Sequence, residues 1–135
     1  MEQCTRRDEP VNEPETPVLD AAVLEELAES VGGDREFVVD LIGTYLDHTE
    51  GQIAAIEAAV AADDLAVLVR PAHTLKSSSA TLGAKRLAER ARALEIAGRS
   101  ERIDDGARIG AEQLAQDWRE ARTALQEWMT RSDAS

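Results

Sequence analysis

The chain has 135 residues, a net charge of −12 and a single cysteine, Cys4. That length holds one domain and hardly two, the lone thiol gives no disulfide framework and fits a reducing compartment, and the acidic balance argues against nucleic acid or an anionic membrane as partner. No run approaches the roughly 18 apolar residues of a membrane span and the acidic, polar N-terminus is unlike a signal peptide, so the cytoplasm is the expected location.

Residues 1–17 contain Pro10, Pro14 and Pro17, five acidic residues and almost no apolar ones, and are expected to form a flexible acidic tail. Beyond them strand signals are missing: aromatics are few, alternation is not sustained, and alanine and leucine abound. A short helix is predicted over Asp20–Ser30, capped by Asp20 and stopped by Gly32-Gly33. A second starts after Asp34 and runs to about Ala62 on a stripe of Val38, Leu41, Tyr45, Ile53, Ile56 and Val60, broken near Thr49 and with Gly51 as a weak point. A third runs from about Asp63 to Leu82 and ends at Gly83. A fourth spans Ala84–Ala97 and ends at Gly98. A fifth begins near Asp104 or Asp105 and reaches about Thr130, with a seven-residue repeat of Ala107, Ala111, Leu114, Trp118, Ala121, Leu125 and Trp128. Four substantial helices with apolar stripes and short connections pack best as an all-α, antiparallel up-down four-helix bundle, with the short N-terminal helix capping one end. The domain is expected over 18–131, with 132–135 a disordered C-terminus.

Charge is unevenly spread. Residues 1–64 carry net −14, residues 65–100 net +5, and residues 101–135 net −3. The basic segment contains HTLKSSS, residues 73–79, with one of the two histidines and one of the two lysines. On the third helix Leu65, Leu68, Ala72, Leu75, Ser79 and Leu82 form the buried stripe, at spacings of three and four. His73 lies one residue off it, about 100° round the helix. Ala66, Val69, Arg70, Lys76, Ser77 and Ala80 share its face. A neutral imidazole nitrogen is a nucleophile near pH 7. A nearby ammonium disfavours the imidazolium and stabilises an arriving phosphoryl group. Small neighbours let a partner's backbone approach. The face therefore suits a histidine that accepts a phosphoryl group covalently, set against an idle surface histidine beside a solubility lysine.

AHTLKSSSATLGAKRLAERARALE, residues 72–95, resembles the signature of the histidine-containing phosphotransfer (HPt) domain, AHxLKG(S/A)(S/A)xxxGAxxLAxxxxxLE. Residues 18–46, VLDAAVLEELAESVGGDREFVVDLIGTYL, resemble the family's first helix and the start of its second, with the GG-D turn and Phe37. The resemblance covers about 18–130 and implies the same four-helix bundle. It further implies that His73 takes a phosphoryl group from the aspartate of one response-regulator receiver domain, or of a hybrid sensor kinase, and passes it to another. Lys76 matches the lysine that supports the phosphoryl group, and Gly83 the glycine that ends the histidine-bearing helix. The chain is then a phosphocarrier with no ATP site, no metal and no cofactor of its own; the Mg²⁺ belongs to the receiver, and a monomer is the family expectation. Receiver sites are acidic, so the +5 segment is the expected complement. The candidate docking residues are Ala66, Val69, Arg70, Ser77, Ala80, Gly83, Lys85 and Arg86.

The chain departs from the family where serine, Ser77, replaces the usual glycine, and where Pro71 sits inside the helix, removing the hydrogen bond to the Val67 carbonyl and inviting a kink. Some family members place a glutamine opposite the histidine; here only Arg90, Arg92 and Glu95 are available, and none is assigned a helper role. His48, beside Asp47 and Glu50, reads as a solvated surface residue. His48, His73 and Cys4 have no recognised metal-ligand spacing. S-x-x-K is absent, as is a Gly-rich phosphate loop, which argues against an acyl-enzyme and a complete kinase. Two alternatives remain: an adaptor that binds receivers without phosphotransfer, and the carrier module of a larger hybrid sensor kinase. The initiating methionine and the acidic tail favour a stand-alone protein.

Overall fold

The computed structural model describes residues 16–100 and 102–134. They form five helices: α1 (Ala21–Ser30), α2 (Arg35–Ala61), α3 (Leu65–Thr81), α4 (Lys85–Gly98) and α5 (Asp105–Ala134). Aspartates start four of them. Asp20 accepts from the Ala22 N–H, Asp34 from Phe37, Asp64 from Val67 and Asp104 from Ala107. Each satisfies a donor that has no partner within its own helix.

α2 packs on α3, α3 on α4, α4 on α5, and α5 back on α2, while α1 lies against α2. The ion pairs give the directions. Arg86 meets Glu120 and Arg90 meets Asp117, so α4 and α5 run oppositely; Arg122–Glu50 and Arg108–Asp63 do the same for α5 and α2. The result is the all-helical, up-down four-helix bundle that the stripes predict.

All seven residues of the predicted α5 repeat are buried, both tryptophans included. On α3, Leu68, Ala72, Leu75 and Ser79 are buried, as is Leu82 at its C-cap, and Leu65 is half buried. On α2, Ile42 rather than Leu41 takes the core position. The break at Thr49 is a hydroxyl that the helix satisfies itself, donating to the Tyr45 carbonyl at 2.6 Å. α2 therefore continues unbroken past Gly51. The Tyr45 hydroxyl and Ser79 share a buried hydrogen bond of 2.7 Å, which ties α2 to α3. Burial pushes the Tyr45 phenol up to about 12.

Several expected boundaries move. Asp63 lies in the turn before α3, at φ 53. Helix α4 ends at Gly98 as expected, with Gly98 its last residue, buried where a Cβ would come within 2.9 Å of Val69 Cγ2. Helix α5 continues to Ala134, through most of the stretch expected to be a disordered C-terminus. Residues 1–15 of the expected tail lie outside the described residues, but Thr16 and Pro17 are tied down: their carbonyls accept from Arg86 Nε and the Arg86 N–H, each at 3.1 Å. Pro71 lies within α3 and does not end it. Leu68, Ala72 and Leu75 anchor the helix in the core on both sides, and Val67, to whose carbonyl the proline cannot donate, is exposed.

Candidate functional site

Helices α3 and α4 form a tight hairpin, and Gly83 makes it so. Its φ of 82° favours glycine, and a Cβ there would lie 2.6 Å from the Asp20 carbonyl oxygen. The Gly83 carbonyl in turn accepts from the Asp20 N–H at 2.8 Å. The hairpin fixes the register between the two helices. His73 and Glu95 each lie eleven residues from Ala84, and they meet across it.

The Glu95 side chain is 7 % exposed, that of His73 55 %. Glu95 Oε2 accepts from His73 Nδ1 at 2.9 Å and from Arg99 Nη2 at 2.7 Å. Its Oε1 accepts from Lys76 Nζ at 2.8 Å. Lys76, then Arg99, then His73 hold the carboxyl down at about 2. It is thus ionised near neutral pH and has no proton to share. In the neutral imidazole the proton must sit on Nδ1, and the lone pair on Nε2. A fixed ring with an outward-available nitrogen is a nucleophile ready for an incoming electrophile.

The other singled-out residues divide. Arg70, Ser77 and Ala80 are exposed on the histidine's side of α3, and Ala66 is exposed one turn further back. Val69 is half-buried against Gly98. Gly83 is buried and so offers no docking surface; its role is the turn. Lys85 is paired with Asp20, and Arg86 with Glu120 and the carbonyls of residues 16 and 17. Those contacts hold the N-terminal segment at the hairpin's closed end, which removes both from the face expected of them. Arg90 pairs with Asp117. Of the seven cations of residues 65–100, only Arg70 and Arg92 have no carboxylate partner among the described residues, so the +5 of the sequence is mostly neutralised in space.

Glu95 and Arg99 are the residues that sequence reasoning does not place in the site. Lys76, expected to act directly beside the ring, has its ammonium bound to Glu95 instead. The signal for Glu95 is its equal distance, with His73, from the centre of the hairpin turn.

Comparison with known proteins gives the family and the fold. Residues 40–134 match the model of the Hpt domain. The chain is 31 % identical over 100 residues to the phosphorelay protein LuxU of Vibrio harveyi, covering 74 % of this chain and 86 % of that one. It is similar to the crystal structure of histidine-containing phosphotransfer protein B (HptB) of Pseudomonas aeruginosa PAO1, with a TM-score of 0.76, 26 % identity, and coverage of 87 % of this chain and 98 % of that one. It shares the fold of the HPT domain of a sensor hybrid histidine kinase from Shewanella, with a TM-score of 0.71 at 14 % identity, covering 84 % and 95 % of the two chains. The chain belongs to the Hpt domain family and has a histidine phosphotransfer role in two-component phosphorelay.

Proposed function

We propose that His73 is the phosphoryl acceptor, taking the group from the phosphorylated aspartate of one receiver domain and passing it to another. The observation that carries this reading is the Nδ1 contact to Glu95 at 2.9 Å on a ring that is half exposed. In the forward step Nε2 forms an N–P bond as the O–P bond of the acyl phosphate breaks, and the aspartate leaves as a carboxylate. The Nδ1 proton stays in place. The ring gains a positive charge, which the Glu95 carboxylate faces. The reverse step regenerates the neutral ring. Lys76 is within reach of the same region through its hold on Glu95 Oε1 and adds positive charge beside the phosphoryl oxygens.

A receiver docks on the open face of the α3–α4 hairpin. Arg70, Ser77 and Ala80 supply one row on α3. Arg92 and Ile96, the latter 56 % exposed, supply a second row on α4. The guanidinium groups of Arg70 and Arg92, which have no carboxylate partner among the described residues, meet the acidic rim of the receiver, which carries the Mg²⁺. The chain acts as a carrier, without an ATP site of its own.

The test is phosphoryl transfer from a panel of phosphorylated receivers with Mg²⁺. Acid-labile, base-stable label is expected on the wild type and absent from His73→Gln, whose fold is unchanged because the site is exposed. Label persisting on that variant overturns the assignment. Absence of label from any receiver that binds would make the chain an adaptor.

A further inference from the structure

Glu95 poses a problem of charge. A lone carboxylate on Nδ1 fixes the tautomer, but it also favours the imidazolium, which has no free nitrogen with which to attack. The site counters this with two cations on the same carboxylate. Lys76 Nζ takes Oε1 at 2.8 Å, and Arg99 Nη2 takes Oε2, the oxygen that His73 itself uses, at 2.7 Å. With a neutral ring the cluster of Lys76, Glu95 and Arg99 is net positive, not negative. The remaining charged groups on these two helices near the ring are Arg70 on α3 and Arg92 on α4, both cations without a carboxylate partner among the described residues. From α2, the titratable groups bordering Thr74 and Ser78 are Tyr45 and His48, and neither bonds to the ring.

We propose that Arg99 is a positioning residue for phosphoryl acceptance: by sharing Glu95 Oε2 with His73 it lets the carboxylate hold the proton on Nδ1 without drawing a second proton onto Nε2. This rests on the reading of His73 as the acceptor. Arg99 is well placed for the task. It caps the end of α4, and its side chain is 60 % exposed, so it contributes little to the core. Its backbone follows Gly98, whose missing side chain lets α4 lie against Leu68 and Val69, one turn before His73 on α3. A cation at a helix C-terminus also suits the helix dipole, but that role would leave the histidine's titration where it is.

The experiment is a histidine-detected NMR titration of the full chain with isotope-labelled histidine, for wild type, Arg99→Gln and Arg99→Lys. His48 is the only other histidine and serves as the internal reference. In Arg99→Gln the His73 midpoint is expected to move up relative to that of His48. Arg99→Lys is expected to restore most of the difference. The pH profile of phosphoryl acceptance should shift in Arg99→Gln by the same amount and in the same direction. A His73 midpoint in Arg99→Gln that coincides with the wild type overturns the proposal, even if acceptance falls, since that would leave Arg99 a purely structural part. The two readings fail separately: label on His73→Gln removes the acceptor assignment, whereas the titration decides the hold of Arg99 on the ring regardless of phosphorylation.

Discussion

Glu95 and Asp117 are buried to the same degree, each 6 % exposed, and each meets an arginine at 2.7 Å. Asp117, on α5, has that one partner among the described residues, Arg90 of α4. The pair joins two helices and leaves no proton in question. Glu95 has three partners, and the third is a half-exposed imidazole. Burial of a carboxylate is thus no mark of function in itself. What separates the two is that one carboxylate neutralises a cation across an interface, whereas the other is supplied with cations while it orients the imidazole proposed to accept the phosphoryl group.

This contrast can be broken by substitution. Glu95→Ala frees the ring to rotate and to change tautomer, and phosphoryl acceptance should fall by about a hundredfold, the upper range for losing an outer partner that fixes a histidine; transfer kinetics from a phosphorylated receiver measure it. Asp117→Ala should leave acceptance unchanged and instead cost about 1–3 kcal/mol of stability, seen in denaturant midpoints, because Arg90 loses its partner at a partly buried site. If both variants lose acceptance equally, the distinction is void.

Two smaller effects sharpen it. The Glu95 carboxyl lies at about 2, below its ordinary 4.5. A lowered folded-state value means that its contribution to stability is present above about 4.5 and is lost as the pH falls toward 2. Glu95→Gln should therefore flatten the acid limb of a stability-versus-pH curve in that window. Smallest is Lys76→Ala. Transfer should slow by roughly tenfold or less, since an ammonium in half-open surroundings acts through a high effective dielectric, while receiver binding persists. The Nδ1 tautomer, read by nitrogen NMR, should also persist because Arg99 still holds Glu95.

The bundle is legible in the sequence because its helices carry long apolar stripes and aspartate caps, both of which are local signals. Even Thr49, which breaks the stripe of α2, obeys a local rule once its hydroxyl is seen to bond its own helix. His73 and Lys76 are legible for the same reason: they are a turn apart on one helix. Glu95 is not, since its importance depends on the register of two helices, and that register is set by the backbone of Gly83 against Asp20. The net charge of the basic segment misleads in the same way. Lys85, Arg86 and Arg90 are basic in sequence and neutralised in space, by residues 65, 34 and 27 positions away.

Pro71 has a consequence for cooperativity. Its missing N–H leaves one rung out of the ladder of α3, at the Val67 carbonyl, while the rungs on either side still join residues 65–70 to 72–81 in one helix. The second stretch holds His73, Lys76 and Ser79, and Tyr45 anchors it through the Ser79 hydroxyl. The first stretch, with exposed Ala66, Val67 and Arg70, is held in the core by Leu68 and is one hydrogen bond short, so local opening of α3 costs less at this end. Opening that begins at this end of α3 meets the core contacts of Leu68 and Ala72 before it reaches the helix around His73, and the Tyr45–Ser79 anchor only beyond it.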